Sequence, residues 1–340
     1  MNAHLFKKYF FILFLFNLVV ACKKDPEVTQ TPTDNNTTNT PVHVPAFIKD
    51  SAYAYVGKQV AFGPRIPGTD GHKATRQWLV QKFKSFGATV TEQSFKTTTA
   101  TIGEVRGANI IASYNPTYAR RVVLAAHWDT RYIADEDAAR PKEPLDGADD
   151  GGSGVGVLLE IARLLKENPI SIGVDIILFD VEDQGATGGM TESWCLGSQY
   201  WAQNPHVKGY RAEYGILVDM VGAKGAVFQK EDLTGVFHPN KVSVIHGLYN
   251  QVWSLARGMN KSANFVDVKG KPLTDDHYYV NLFTEIPMID IINRPMNSEK
   301  GFGPHWHTHE DNMNIIDPEV LGAVGQVVTA YLYNSSKKPI

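Results

Sequence analysis

Three short segments of the chain are almost wholly apolar, and each ends at a polar residue. They cover residues 122–126, 174–179 and 216–218, and they are rich in Val, Ile and Leu without regular alternation. Such runs are typical of strands that are buried on both faces of a parallel or mixed sheet. Further strands are predicted at residues 88–95, 109–113 and 286–291.

Segments with helical periodicity separate these strands. Helices are predicted at residues 71–86, 155–167, 242–257 and 317–333. Gly87 provides a stop signal after the first of them, and Asp317-Pro318 combines a cap with a proline at the first helical position. Because strands alternate with helices, we expect a single α/β domain whose central, mostly parallel mixed sheet is flanked by helices.

Titratable side chains collect where the predicted strands end. His127 follows the first apolar run, Glu182 and Asp183 follow the second, and Asp219 follows the third. Carboxylates are costly inside a sheet, and ligand sites of open α/β sheets lie at the carboxyl ends of the strands. These residues are therefore candidates for chemistry.

Asp150, Asp183 and His307 have the composition of a catalytic zinc site. Two carboxylates and one imidazole leave a fourth position on the ion open. Each residue alone is a weak signal, since an Asp in a glycine-rich turn such as 147–150 is more often a cap. His305, His307 and His309 alternate, so they would share one face of an extended segment. Their joint occurrence with the acids favours a metal site.

Glu182 and Asp183 are adjacent acids after a buried strand. They would repel each other in an apolar site unless a cation neutralised one of them. The natural division is that one binds metal while its neighbour acts as a general acid-base. A solvated acidic turn is the alternative that these two residues leave open.

The order of short motifs resembles the clan of zinc aminopeptidases and glutaminyl cyclases over nearly the whole folded part. The motifs are Gly63-Pro64-Arg65, Pro67-Gly68, His127-Trp128-Asp129, Gly147-Ala148-Asp149-Asp150, Glu182-Asp183, Leu217-Val218-Asp219, Asp275-Asp276-His277 and Trp306-His307-Thr308. Within the clan, the chain is most similar to glutaminyl-peptide cyclotransferases of the animal-like type. Two features favour them: Asp275, where aminopeptidases commonly have Ser, and a tryptophan directly before His307.

The resemblance implies a fold, a reaction and residue roles. It implies the aminopeptidase-like fold and an enzyme that converts the N-terminal glutamine of peptides and proteins to pyroglutamate, releasing ammonia. It assigns one zinc per chain to Asp150, Asp183 and His307. The remaining implied roles are a proton shuttle at Glu182, its hydrogen-bond network at Asp219 and Asp275, and a substrate pocket wall at Trp306.

Two positions depart from the animal cyclases. The second acid of the pair is usually Glu there and is Asp183 here, so the backbone must approach the metal more closely or ligation must become monodentate. Residues 184–192 also lack a tryptophan that the animal enzymes carry soon after the acid pair. Trp194 is the candidate to replace it in binding substrate.

Two other classes of function stay open at this point. In a two-zinc aminopeptidase, His127 and Asp219 would hold a second ion bridged through Asp150, and Glu182 would activate water to release N-terminal amino acids. The second class is a catalytically silent binding lipoprotein. It has less support because none of the expected ligands is missing.

The N-terminal residues resemble a bacterial lipoprotein signal. Residues 1–21 contain Lys7 and Lys8, then an apolar stretch too short to span a bilayer, and they precede Cys22. We expect cleavage before Cys22 and lipid attachment to its thiol, with a plain cleaved signal as the alternative. Residues 22–45 are rich in Thr and Pro and predict a flexible tether, which leaves 46–340 as the catalytic domain. The protein would then be anchored to the membrane in the bacterial cell envelope, facing the periplasm or the surface.

Charge and cysteine content narrow the class of protein. Loss of residues 1–21 removes two lysines and no acid from 33 basic and 36 acidic residues, which leaves a net charge of about −5. A chain with more acidic than basic residues lacks the positive charge that binds nucleic acid, so nucleic acid is not expected as a partner. Once Cys22 carries lipid, Cys195 is the remaining thiol and no intramolecular disulfide can form.

Replacing Cys22 with alanine should release the protein from membranes or leave it unprocessed. The reason is that one thiol carries the lipid and the sequence predicts no other segment able to span a bilayer. Membrane fractionation and the mass of the mature chain check this outcome. A variant that stays with the membranes as fully as the parent, cut at the same place, contradicts the lipoprotein prediction.

Overall fold

The computed structural model describes residues 43–337, which fold around a six-stranded mixed sheet. The strands are β1 (Thr89–Thr99), β2 (Gly103–Tyr114), β3 (Arg121–His127), β4 (Gly173–Phe179), β5 (Gly215–Asp219), β6 (Phe228–Glu231), β7 (Phe265–Gly270) and β8 (Met288–Ile292). The helices are α1 (Lys49–Val60), α2 (Asp70–Ser85), α3 (Gly152–Glu167), α4 (Leu196–Gln203), α5 (Pro239–Gly258), α6 (Asp276–Phe283) and α7 (Pro318–Ser335).

The strand order in the large sheet is β1-β2-β4-β3-β5-β8. The pairs β4-β3, β3-β5 and β5-β8 are parallel, whereas β1-β2 and β2-β4 are antiparallel. The predicted α/β class with a mostly parallel mixed sheet is therefore confirmed. Strands β6 and β7 form a separate two-stranded parallel sheet that the sequence did not predict.

Helices cover both faces of the large sheet, which explains why its central strands lack alternation. Along β3, Leu124 and Ala126 belong to the larger core beneath α1, α3 and α7, while Val123 and Ala125 belong to the core beneath α4 and α6. All residues of β4, β5 and β8 are buried. A strand with two buried faces is mostly apolar along its length, and these strands follow that pattern except at the buried Asp175 and Asp290.

The predicted elements are present, with shifted ends. Helix α3 begins at Gly152, three residues before the predicted start, because its first turn is made of glycines and Ser153 and carries no apolar periodicity. Strands β1 and β2 extend beyond the predicted segments as a long hairpin. The helices α1, α4 and α6 were missed, two of them because eight residues are too few for a periodic pattern. The predicted cap at Asp317 is confirmed, since its side chain accepts from the amide of Glu319 at 2.9 Å.

Within residues 43–337, no helix has the length and apolar character needed to cross a membrane. Residues 1–21, Cys22 and most of the predicted tether lie outside the described residues. The lipoprotein signal and the domain boundaries remain predictions from the sequence.

Helix α3 lies unusually close to the ends of β3 and β5. A Cβ atom on Gly154 would stand 2.1 Å from the carbonyl oxygen of Val218 and 3.0 Å from the Cβ of Ala126. Only glycine permits this approach, since the oxygen belongs to the backbone of a buried strand. The contact brings the turn that precedes α3 close to His127 and Asp219, the last residues of those strands.

Replacing Gly154 with alanine should lower the free energy of unfolding by about 1–3 kcal/mol, because overpacking forces the helix away from the sheet. Chemical denaturation of the variant and the parent measures the difference. Gly247 in α5 is the matched control, since a Cβ there meets nothing within 4 Å. Gly247→Ala should gain about 0.5–1 kcal/mol; equal losses at both positions would contradict this account of Gly154.

Candidate metal and catalytic site

The carboxyl ends of the parallel strands bring the predicted site residues to one edge of the sheet. His127 and Asp219 are the last residues of β3 and β5, and Glu182 and Asp183 follow β4 in a tight turn. Asp150 reaches the same edge from the turn before α3. The prediction that strand ends gather these side chains is confirmed by their distances.

Asp150, Asp183 and His307 form one compact group of buried donors. One donor atom from each lies within 4.8 Å of the others. The Nε2 atom of His307 is 3.1 Å from Oδ1 of Asp183 and 3.7 Å from Oδ2 of Asp150. The other oxygen of Asp183 is buried and has no hydrogen-bond partner among the described residues.

His127, Asp150 and Asp219 form a second group that shares Asp150 with the first. The Nε2 atom of His127 lies 2.9 Å from Oδ1 of Asp150 and 3.1 Å from Oδ1 of Asp219. The two predicted sets of ligands therefore meet at one carboxylate. This arrangement keeps the two-ion alternative geometrically possible.

Asp129 holds the turn that carries Glu182 and Asp183. Its carboxylate accepts from the amides of Glu182 at 3.0 Å and Asp183 at 3.3 Å, and from Nε2 of Gln184 at 3.1 Å. Val181 just before the turn has φ of 59°, which is uncommon for a β-branched residue. The strained turn thus points two neighbouring acids into the site under one buried carboxylate.

Asp311 and Arg65 hold the turn that carries Asp150. The carboxylate of Asp311 accepts from the amides of Asp149 at 2.6 Å and Asp150 at 3.1 Å. The buried guanidinium of Arg65 donates to the carbonyl of Gly147 at 2.6 Å. Because the backbone of this turn is fixed, the side chain of Asp150 stays directed at the two imidazoles.

The three alternating histidines do not share a face. Residues 303–311 form turns rather than an extended strand, and His307 has φ of 56°. His305 pairs with Asp149 at 2.9 Å, and His309 pairs with Asp137 at 2.9 Å. The expectation of a common face was wrong, and His307 is the histidine of the three that joins the candidate metal group.

Asp135 and Arg131 support the candidate ligands and were missed in the sequence. Oδ1 of Asp135 lies 3.0 Å from Nδ1 of His307, on the side of the ring away from Asp183. Arg131 donates to Oδ2 of Asp135 at 2.6 Å and to the carbonyl of Asp183 at 3.0 Å. A carboxylate on the second ring nitrogen commonly orients a ligating histidine. The available signal was only that both residues follow His127 closely.

A pocket of about 310 Å³ opens onto both groups. Its lining consists of Asp150, Glu182, Asp183, Thr191, Trp194, Asp219, Met220, Pro272, Leu273, Thr274, Asp275, Ile292, Phe302, Trp306 and His307. The ring of Trp306 stacks on His307 with centroids 3.8 Å apart, and Trp194 lies on the same imidazole at 6.2 Å. Acids therefore converge in a pocket whose walls are largely aromatic and aliphatic.

Burial changes the acidity of the carboxyl groups in this pocket. It raises the pKa of Glu182 well above the usual value, although His127 opposes the shift, and the nearby Asp183 and Asp275 raise it further. Burial and the charge of Asp219 raise the pKa of Asp275 to about 6. Carboxyl groups whose pKa is shifted upward in this way are candidates for general acid-base catalysis.

Similarity to known proteins agrees with this geometry. The family model described as peptidase family M28 matches residues 109–332, well over half of the chain. The chain belongs to peptidase family M28.

Two solved structures and a further relative resemble this protein over most of its length. A glutaminyl cyclase from Porphyromonas gingivalis is 52% identical and has a TM-score of 0.80, covering 85% of this chain and 99% of that one. A Zn-dependent exopeptidase from Parabacteroides distasonis is 48% identical, with a TM-score of 0.81 and coverage of 86% and 100%. A glutaminyl-peptide cyclotransferase from Bothrops jararaca is 26% identical over 79% of this chain and 76% of its own length. The resemblance to glutaminyl cyclases within the zinc aminopeptidase clan is confirmed.

The M28 site residues fit a divalent cation. Imidazole nitrogen and carboxylate oxygen are zinc donors, and the unpartnered oxygen of Asp183 lies where an ion would satisfy it. Burial lowers the pKa of His307, but Asp183 and Asp135 raise it to about 9 overall. The neighbouring acids thus favour a positive charge at His307, and a bound cation can supply that charge instead of a proton on the imidazole.

Alanine at Asp150, Asp183 or His307 should each remove the bound metal from this M28 protein while its fold persists, because the hydrophobic core does not depend on the ion. Metal analysis of the purified variants, with circular dichroism for the fold, checks this. His127→Ala is the matched control and should keep one ion per chain if the site holds a single ion. Full metal content in any of the first three variants would remove that residue from the ligand set.

Proposed function

We propose that this protein is a zinc-dependent glutaminyl-peptide cyclotransferase. It converts the N-terminal glutamine of peptides and proteins to pyroglutamate and releases ammonia. The observation that carries the proposal is the position of Glu182, a partly buried acid that lines the same small pocket as the metal group and two tryptophans. The high identity to a bacterial glutaminyl cyclase over almost its entire length supports it.

One zinc ion is proposed for Asp150, Asp183 and His307. When bound, it supplies a Lewis acid that polarises the γ-carboxamide oxygen of the substrate and stabilises developing negative charge. Asp135, on the far nitrogen of His307, keeps the ring oriented for ligation. The side chain of Asp183 is shorter than that of Glu. Its backbone is held close to the site because Asp129 accepts hydrogen bonds from the amides of Glu182 and Asp183 and from the side chain of Gln184.

Glu182 is proposed as the proton shuttle. Its carboxylate takes a proton from the α-amino group as that group attacks, and returns it to the departing ammonia. A donor atom of Asp275 lies within the same 4.8 Å group as the carboxylate of Glu182. Asp275 and Asp219 are proposed to orient the shuttle, and an acidic pocket also suits a substrate that carries an N-terminal ammonium group.

The pocket walls are proposed to shape the substrate. The attacking amine and the carbonyl belong to one residue, so the protein must favour a ring-forming conformer and exclude water. Trp306 and Trp194 both line the pocket and are proposed to perform this task. Arg131 lies 4.8 Å from the ring of Trp194 and so fixes that side chain from behind.

The two-zinc aminopeptidase remains the second candidate. It is favoured by one observation, the placement of Nε2 of His127 at hydrogen-bonding distance from both Asp150 and Asp219. In that case Glu182 would activate water instead of moving a proton between two nitrogens. The same side chains serve both reactions, so the products distinguish them.

The proposed setting is the bacterial cell envelope. Cleavage after residue 21, lipid on Cys22 and a tether to residue 45 would place the catalytic domain beside the membrane. Its acidic balance supports peptide substrates rather than nucleic acid as partners.

Glu182→Gln should reduce ammonia release from a Gln-initiated peptide by at least about 10²- to 10⁴-fold, the usual worth of general acid-base catalysis. The amide is nearly isosteric and keeps the metal ligands in place, so metal content and binding of a substrate analogue should persist. Asp275→Asn should slow turnover less, also with metal retained.

The products formed by the unmodified protein distinguish the two candidate reactions. Mass spectrometry should show a product lighter by one ammonia and no cleaved peptide bond. Release of free N-terminal amino acids, abolished in Glu182→Gln, would instead establish the aminopeptidase on the same residues.

A further inference from the structure

The thiol of Cys195 lies directly against the proposed proton shuttle. Its Sγ atom is 3.1 Å from Oε1 of Glu182, and the residue is 0% exposed. Burial raises the pKa of the thiol well above its usual value, and the charges of Glu182 and Asp276 raise it further. The sulfur therefore keeps its proton and donates a hydrogen bond to Oε1 of Glu182.

Backbone hydrogen bonds fix the thiol in this position. The amide of Cys195 donates to the carbonyl of Glu182 at 2.9 Å, and the amide of Leu196 donates to the carbonyl of Val181 at 3.1 Å. Cys195 has φ of 57°, and Val181 has φ of 59°. Two residues in the left-handed region on facing segments are sustained only by surrounding structure, and such strain is concentrated at functional sites.

The two oxygens of Glu182 have different surroundings. Among the described residues, the thiol of Cys195 is the side-chain donor to Oε1. Oε2 lies 3.9 Å from Nδ1 of His127, too far for a hydrogen bond. An oxygen of Asp275 shares the 4.8 Å group formed with Sγ and the carboxylate of Glu182. A neutral donor is thus placed where two acids approach each other.

We propose that Cys195 is a positioning residue whose thiol holds Oε1 of Glu182 and leaves Oε2 to carry the proton between substrate amine and ammonia. The identity of that proton rests on the proposed cyclase function, whereas the hydrogen bond itself does not. Because the fixed thiol donates to Oε1, it also keeps the carboxylate of Glu182 from rotating toward Asp275.

Cys195→Ala and Cys195→Ser separate positioning from packing. Both side chains are smaller than cysteine and fit the same space, but only serine retains a donor. In the full chain, Cys195→Ala should lower kcat for ammonia release by about 3- to 10-fold, the effect of losing one hydrogen bond. KM and metal content should not change. Cys195→Ser should recover most of the lost kcat. The recovery is incomplete because the Cβ–O bond of serine is shorter than the Cβ–S bond of cysteine and leaves the donor farther from Glu182.

Two kinetic outcomes would overturn the proposal. One is a Cys195→Ala variant with the kcat of the parent. The other is equal loss in the alanine and serine variants, because the loss would then reflect packing around the sulfur. In the first case, an accompanying rise in KM would assign the residue to the pocket wall.

A spectroscopic measurement tests the hydrogen bond without any activity. The Raman difference between the parent and Cys195→Ala isolates the S–H stretch of this thiol, even with Cys22 present. In the Glu182→Gln background the band should shift to higher wavenumber, since an amide accepts less strongly than a carboxylate. An unshifted band shows that no such bond exists. If the parent instead releases amino acids, the proposed function fails while the band still decides the hydrogen bond.

Discussion

Repulsion among carboxylates gathered in one pocket is the constraint on which this site depends. Asp150, Asp183, Glu182, Asp219 and Asp275 all line one pocket of about 310 Å³. Ionised acids at such separations in a poorly solvated place disfavour one another unless donors or cations compensate them. The protein provides part of that compensation with peptide amides, imidazoles and a thiol, and the remaining acids could hold a metal ion.

The compensation is organised by residues that never reach the pocket. Asp129 and Asp311 accept from the amides of the two turns that carry the candidate ligands, and Arg65 fixes one of those turns from below. Asp135 occupies the far nitrogen of His307. Because these groups set the orientation of the side chains in front of them, the geometry of the site depends as much on the supporting layer as on the ligands.

The same arrangement serves two chemistries within one family. His127 lies within hydrogen-bonding distance of both Asp150 and Asp219, and donor atoms of the three residues are close enough together to hold an ion. Trp194 and Trp306 line the pocket that opens onto this group.

The sequence by itself determined the parallel strands, their order of polar endings and the candidate ligands. Burial on two faces makes β3, β4 and β5 mostly apolar, and acids, which are costly in that interior, cluster after the strands. Only the tertiary structure decided the rest. The roles of Asp135, Arg131 and Cys195 arise from segments that the fold brings together across tens of residues, and the turns around His307 removed the common face expected of its neighbouring histidines. Hydrophobic periodicity shows which side of a helix or strand is buried. The partner of a polar side chain depends instead on which distant segments the fold brings next to it.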